Sequence, residues 1–133
     1  MKEKSKIGGS VELEFEYGNS YKFLPAAPNS LKHLWKAFFR LKDTEMQKGI
    51  KIENIVDTVY FELDRFYNKP SVFIKEPPYE LQNKSFGQSV IQITVFFKPV
   101  TGIFDPVQLF HTLIFQASGD TQKLKLIVSN EAC

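Results

Sequence analysis

The chain has 133 residues, enough for one domain that buries roughly two thirds of the surface its unfolded chain exposes, so no disulfide or metal is needed for stability. Its 17 basic and 15 acidic residues give a net charge of +2 without a basic stripe, which argues against direct nucleic-acid binding through many phosphate contacts. The single cysteine, Cys133, favours a reducing compartment inside the cell, and because no apolar run approaches roughly 18 residues we expect no membrane contact.

The first predicted strand follows a charged N-terminal segment. Residues 1–10 are expected to form a disordered tail, because their lysines repel one another at an exposed terminus. Apolar and acidic residues alternate over residues 11–17, as in a half-buried strand. Gly18 and Asn19 are expected to end this strand, and the proline-rich loop that follows cannot continue it.

Alternation resumes over residues 33–40, where Trp35, Ala37 and Phe39 share a face that we expect to lie in the core. Residues 43–51 are polar and are predicted to form a connection that can include one helical turn. Beyond this connection, strands are predicted at residues 54–63, 71–74, 79–82, 90–97, 109–115 and 123–128.

Seven or eight short strands without a long amphipathic helix indicate an all-β fold, an antiparallel β-sandwich of immunoglobulin type. The domain is predicted to span residues 11–128, with residues 129–133 as a C-terminal tail. Pro77-Pro78 must interrupt strand pairing, since neither proline can donate a backbone hydrogen bond. We therefore expect residues 71–74 to lie at a sheet edge, where the chain crosses from one sheet to the other.

Eight different short motifs follow one another along the chain, and a spacing of 19 positions separates Tyr67 from Phe86. From Glu12 to Gln116 the sequence resembles a YEATS domain, most closely the branch found in chromatin remodelling and histone acetyltransferase complexes. The motifs are Tyr17-Gly18-Asn19, His33-x-Trp35, Phe61-x-Leu63, Asn68-x-Pro70, Glu76-Pro77-Pro78-Tyr79-Glu80, Phe86-Gly87, Phe96-Phe97 and Leu109-Phe110-His111-x-Leu113.

The resemblance implies a nuclear reader module that binds acetyl- or crotonyl-lysine on a histone tail, that of H3 in particular, between aromatic side chains on loops at one end of the sandwich. It assigns Tyr67 and Phe86 to the two stacking positions and gives Gly87 a backbone N–H that binds the acyl oxygen. The other candidate site residues, on the same loops or near them, are Asp64, Phe66, Ser85, Gln88 and His33.

The chemistry of the ligand explains why rings are needed there. Acylation removes the charge of lysine and leaves a flat amide, which two rings can stack on with about 0.5–1.5 kcal/mol per contact beyond burial. The ammonium of unmodified lysine would instead lose its water without a counter-charge. A ring pair with hydrogen-bond donors therefore predicts selectivity for the acylated form.

The sequence also departs from the family pattern in both loops. Asp64 and Phe66 stand where the family has a histidine and a serine, so the serine hydroxyl that bonds the acyl amide is missing. In the second loop the usual Gly-Trp-Gly-Glu-Phe has become residues 85–89, and Ser89 replaces the last aromatic. The related branch usually carries a C-terminal helix that docks into its complex, and we expect this chain, which ends at Cys133, to lack it.

Two alternative functions and two alternative roles for site residues stay open. The chain can be a structural subunit whose pocket has degenerated, or a histone-chaperone-like sandwich that binds folded histones through an edge strand. The loop aromatics can cover the end of the core as a lid, and His33 can be a core-edge histidine bonded to a backbone carbonyl. Neither His33 nor His111 has a cysteine at ligand spacing and no catalytic or nucleotide motif occurs, so we expect no metal, no cofactor and no enzymatic activity.

Overall fold

A computed structural model of the chain describes residues 9–27, 31–65, 67, 69–85 and 87–133. It contains two antiparallel sheets of four strands each, with strand orders β5-β2-β1-β8 and β4-β3-β6-β7. The strands are β1 (Ser10–Phe23), β2 (His33–Leu41), β3 (Val56–Glu62), β4 (Ser71–Ile74), β5 (Tyr79–Ser85), β6 (Val90–Phe97), β7 (Val107–Thr112) and β8 (Gly119–Ser129). A short helix, α1 (Asp43–Gln47), follows β2, and single 3-10 turns are formed by Ile52–Asn54, Pro99–Thr101 and Asn130–Ala132.

The period-two alternation of apolar residues turns one face of each sheet toward a shared core. Trp35, Ala37 and Phe39 of β2 are buried, as predicted, and Val59 and Phe61 of β3 enter the same core from the other sheet. Burying one such side chain is worth about 1.5–3 kcal/mol, so the inner faces hold the sheets together. The other large side chains that are fully buried are Tyr79, Phe15, Leu13, Leu41, Ile55, Ile91, Ile93, Leu113 and Val56.

Strand β1 is longer than the sequence predicted, because it continues past Gly18 and Asn19. A Cβ atom added to Gly18 would lie 2.1 Å from the carbonyl oxygen of Asp120 on β8. One added to Gly119 would lie 2.0 Å from the carbonyl oxygen of Asn19. The prediction that Gly18 and Asn19 end the strand was therefore wrong, since glycine here lets two main chains approach closely while the ladder runs on.

The other elements differ from the predictions mainly at their ends. Strand β6 has the predicted bounds, β5 extends to Ser85, and β7 lies two residues earlier than expected, from Val107. Strands β4 and β5 are edge strands of opposite sheets, so the predicted crossing between sheets is confirmed. The all-β antiparallel sandwich is confirmed as well. Residues 1–8 of the predicted tail lie outside the described residues, and the limits of the domain stay predictions.

A buried carboxylate ties helix α1 to β1, an inner strand of the first sheet. Oε2 of Glu45 accepts the backbone N–H of Glu14 at 2.7 Å, and Oε1 pairs with the ammonium of Lys48 at 3.0 Å. The hydrogen bond from the Glu14 N–H is the main reason why the pKa of Glu45 is lowered, while burial opposes it. This contact fixes the end of the sandwich where β2 finishes, opposite the end that carries the predicted site.

Candidate functional site

The loops predicted to form the site meet at one end of the sandwich. There β2 begins with His33, which lies opposite Ser85 at the end of β5. The loop after β3 is closed by a hydrogen bond of 2.6 Å from the Leu63 N–H to the Pro70 carbonyl. These segments surround a cavity of about 230 Å³, which we call the loop-end cavity. Its lining residues are Leu31, Asp64, Tyr67, Lys84, Ser85, Gly87, Gln88 and Ser89.

The volume of the loop-end cavity limits what it can hold. Sites for drug-sized ligands are typically about 300–1,000 Å³, so this cavity lies below that range and suits a guest as small as one extended side chain. Asp64 and Lys84 bring one charge of each sign to its lining, and the lining has no net charge. A neutral guest therefore adds no unpaired charge to this lining.

Tyr67 belongs both to the cavity and to the edge of the core. Its ring is half-buried and stands edge-on to the ring of Trp35, with centroids 5.9 Å apart and planes at 88°. The N–H of Tyr67 donates to the carbonyl of Asp64 at 3.1 Å, which closes a turn in the first loop. Its hydroxyl is buried and has no hydrogen-bond partner in the described part of the chain.

Two serines shape the second loop in different ways. The hydroxyl of Ser85 donates to the carbonyl of Gly87 at 3.0 Å and so holds the loop in a tight curve. The carbonyl of Ser89 accepts the N–H of Leu113, just beyond β7, at 3.0 Å. The Ser89 hydroxyl is buried, and among the described residues it meets no hydrogen-bond partner. Gly87 is exposed, and outside its two chain neighbours no atom of the described residues lies within 4 Å of where its Cβ would be, so a ligand can approach its backbone.

His33 lies near the loop-end cavity but does not line it. Its ring stacks on Phe115 at 4.7 Å between centroids and on Tyr21 at 5.6 Å. Its Nδ1 is hydrogen-bonded to the hydroxyl of Tyr21 at 2.7 Å, not to the backbone carbonyl that the core-edge alternative supposed. The sequence did not point to Tyr21, because β1 was expected to end before it.

The structure brings together most of the predicted site residues that it describes. Asp64, Tyr67, Ser85, Gly87 and Gln88 all line the cavity. The other two predicted aromatics, Phe66 and Phe86, lie outside the described residues, so the stacking pair stays a prediction.

Three further lining residues were not among the candidates. Ser89 is the last residue of the predicted loop of residues 85–89 and Lys84 directly precedes that loop, and these positions were the signal that could have found them. Leu31 comes from the proline-rich loop, where no sequence signal marked it.

The described residues contain no group of three or more His, Cys, Asp or Glu side chains that could hold a metal ion. The part of the chain that the structure describes also contains no helix with the length and apolar character required to span a bilayer.

Comparison with known proteins identifies a family that the sequence matches. A family model described as the YEATS family matches residues 30–117, well over half of the chain. The protein AF-9 homolog of Kluyveromyces lactis is 32% identical over 97 residues, which cover 69% of this chain and 42% of the relative. The chain thus spans about two fifths of the length of this relative.

Solved structures agree with the family match. The crystal structure of the Yaf9 YEATS domain bound to H3K27ac has a TM-score of 0.76 and 26% identity, and the alignment covers 93% of this chain and 90% of that one. The Yaf9 YEATS domain recognising an H3K122suc peptide has a TM-score of 0.75 at 26% identity, and covers 96% and 91%. These matches confirm the resemblance and the fold class predicted from the sequence.

Proposed function

We propose, because this chain belongs to the YEATS family, that its loop-end cavity binds acetyl- or crotonyl-lysine on a histone tail, with H3 as the first candidate. One observation carries the proposal: Tyr67 and Gly87 line the cavity, at the positions to which the family assigns a stacking ring and an amide donor. The Yaf9 YEATS domain, which shares this fold, is bound to H3K27ac in one structure and recognises H3K122suc in another.

The fit between guest and cavity supports this choice. An acylated lysine is a narrow, neutral side chain with a flat amide, which matches a volume of about 230 Å³ and a lining without net charge. The exposed backbone of Gly87 offers an N–H to the acyl oxygen, and an amide buried without such bonds would lose roughly 1–3 kcal/mol per unmet group. The half-buried ring of Tyr67, which packs in a T-shaped arrangement with Trp35, supplies an aromatic surface on which the amide can stack.

A reader of histone marks works inside the nucleus, in company with other proteins. We propose that this chain is nuclear and that its partners are subunits of a chromatin remodelling or acetyltransferase complex, as its family branch suggests. The chain contributes recognition in such a complex rather than chemistry, because YEATS domains are reader modules. We propose no direct contact with nucleic acid or with a membrane, and no cofactor.

Isothermal titration calorimetry with H3-tail peptides tests this function. The same peptide is prepared with acetyl-lysine, crotonyl-lysine or unmodified lysine at one position, and each is titrated into the chain at moderate salt. We expect dissociation constants from micromolar to high micromolar for the acylated peptides and no measurable binding of the unmodified one. Equal affinity for all three peptides would contradict the proposal.

The two rival functions predict different outcomes of the same experiment. A chain that binds none of the peptides, although it unfolds cooperatively, has a degenerate pocket and serves as a structural subunit. A chain that binds unmodified histone dimers but no acylated peptide acts through a sheet edge, as in β-augmentation.

A further inference from the structure

A second cavity, of about 310 Å³, lies at the end of the sandwich opposite the loop-end cavity. The last residues of β2, the first residues of β5, helix α1 and the 3-10 turn at Ile52–Asn54 surround it, and we call it the β2–β5 groove. The buried side chains of Phe39, Leu41 and Tyr79 line its floor. Most of the lining is therefore apolar.

The two prolines before β5 explain why a groove opens there. Neither Pro77 nor Pro78 can donate a backbone hydrogen bond, and the ladder between β5 and β2 starts only where Tyr79 faces Phe39. Strand β2 runs on to Leu41 without β5 beside it. The end of β2 thus leaves a gap between the two strands.

The walls of the β2–β5 groove expose apolar surface to water. Met46 of helix α1 is 47% exposed, Pro77 and Pro78 are exposed, and Ile52 is half-buried. A large aliphatic side chain that enters the groove would cover this surface and be covered in turn. Burial of one such side chain is worth at least roughly tenfold in affinity.

Three exposed carboxylates gather around Tyr79, those of Glu53, Asp57 and Glu76. Burial raises the pKa of Tyr79, and the negative charges of these three groups raise it further, so they share one neighbourhood with the groove. None of the three forms an ion pair with another described residue. A fourth carboxylate, Glu80, lines the groove and pairs with Lys36 at 3.5 Å.

Basic groups do not balance these carboxylates. Arg40 lines the groove, but its guanidinium is bonded to Glu16 at 3.0 Å. Across residues 51–57 and 75–80, two lysines stand against four carboxylates, an excess of two negative charges in a chain whose net charge is +2. An apolar groove with an acidic rim complements a segment that is apolar at its centre and basic on both sides.

We propose that the β2–β5 groove is a docking site for a basic segment of a partner protein, which inserts one large aliphatic side chain flanked by lysine or arginine. The aliphatic side chain packs against Met46 and the buried floor, and the flanking cations pair with Glu53 and Glu76. Because the groove lies at the end opposite the loop-end cavity, both sites can be occupied at once. This inference does not depend on the proposed acyl-lysine function.

An NMR titration of the whole chain, labelled with nitrogen-15, tests this site. The probe is the synthetic peptide Gly-Lys-Lys-Leu-Lys-Lys-Gly, and it should shift the backbone amide signals of Met46, Ile52 and Tyr79 but not that of Gly87 in the loop-end cavity. A peptide with alanine in place of leucine should bind at least roughly tenfold more weakly. A peptide with glutamine in place of each lysine should bind roughly three- to tenfold more weakly at low salt.

Glu53→Lys tests the acidic rim, and its matched control is Glu62→Lys, an exposed carboxylate at the other end of β3. Glu53→Lys should weaken binding of the probe roughly two- to tenfold at low salt, and less at high salt, because salt screens exposed ion pairs. Glu62→Lys should leave the affinity unchanged. Equal losses in the two variants would assign the effect to net charge and overturn the proposal.

The titration of wild type also decides between occupants without any variant. A probe that leaves the signals of Met46, Ile52 and Tyr79 unmoved at millimolar concentration overturns the docking site. A glutamine peptide that binds as tightly as the probe at low salt shows that the groove accepts an uncharged apolar segment, which overturns the basic partner. Groove signals that shift with protein concentration alone show that a second copy of the chain covers the groove, and this result overturns the proposal too.

Discussion

Asn19 and His111 join the two sheets through a hydrogen bond of 2.7 Å between the amide oxygen of Asn19 and Nε2 of the histidine, both buried. The Asn19 amide nitrogen donates to the carbonyls of Ile114 and Ser20, and its oxygen also accepts the N–H of Ile114. Because the amide orientation is fixed in this way, Nε2 of His111 must carry the proton and donate it.

Replacing Asn19 should weaken the whole fold. Asn19→Ala leaves the Nε2–H of His111 and the N–H of Ile114 buried without an acceptor, at about 1–3 kcal/mol each. We expect the free energy of unfolding in urea to fall by about 2–4 kcal/mol. Asn54→Ala, on the exposed surface, is the control and should change it by less than about 0.5 kcal/mol. Equal losses in both variants would show that the link does not stabilise the sandwich.

The charge state of His111 should make stability depend on pH. Burial lowers the pKa of His111, and the nearby Asp120 opposes this only in part. The folded state thus favours the neutral ring, so its contribution is complete above the unfolded pKa of about 6.5 and declines as pH falls from there toward the lowered folded pKa. We expect urea unfolding at pH 7.5, 6.5 and 5.5 to show this decline. His111→Gln should remove it, and an undiminished decline in that variant would assign the effect to another group.

Glu45 should add a second decline at lower pH. Its pKa lies below the usual value of 4.5, so its contribution is present above about 4.5 and is lost as pH falls through the folded pKa. Glu45→Gln keeps the shape but weakens the bond from the Glu14 N–H, and should cost about 1–2 kcal/mol at neutral pH. The exposed Glu53→Gln is the control. The difference between these variants in urea unfolding should shrink below pH 4, and a constant difference would contradict this account.

Tyr67 should matter more for binding than for folding. Tyr67→Ala removes the ring that lines the loop-end cavity and should abolish binding of the acetylated peptide. The ring is only half-buried, so we expect the melting temperature to fall by less than about 8 °C. Tyr67→Phe removes an unpaired buried hydroxyl and should leave the melting temperature unchanged or raise it, with binding retained.

An aromatic residue elsewhere on the sandwich serves as the control for Tyr67. Phe73 is exposed on β4, where it stacks on Tyr60. Phe73→Ala should leave peptide affinity unchanged in calorimetry. If Tyr67→Ala instead lowers the melting temperature by well over 8 °C, Tyr67 is mainly a lid on the core.

Asp64 should set the discrimination against unmodified lysine. Its carboxylate lines the cavity, and a carboxylate attracts a charged ammonium group more strongly than a neutral acyl amide. Asp64→Asn should therefore widen the ratio of affinities for acetylated and unmodified peptides, mainly by lowering the second. Gln88→Ala, at the same cavity, should leave that ratio unchanged. A narrower ratio in Asp64→Asn would mean that Asp64 recognises the acylated form.

The sequence predicted best those features that depend on neighbours along the chain. Strand β6 was found with correct bounds because its valine, isoleucine and phenylalanine residues favour a strand in any context. The predicted end of β1 at Gly18 and Asn19 was wrong because both are typical turn residues. Only the close approach of β8 explains why a glycine stands inside the strand. The site divides in the same way. Tyr67 and Gly87 followed from motif spacing, whereas the bond between Tyr21 and His33 depends on the register of β1 against β2.

The close approach of Gly18 and Gly119 to opposite main chains has a consequence for how this domain can change over generations. A side chain at either position collides with backbone, so no substitution elsewhere can make room by shrinking a neighbour. Gly87, in the lining of the loop-end cavity, is under no such constraint, because no described atom outside its chain neighbours lies within 4 Å of where its Cβ would be. Mutation can therefore alter what the cavity accepts while the sandwich that carries it is inherited intact.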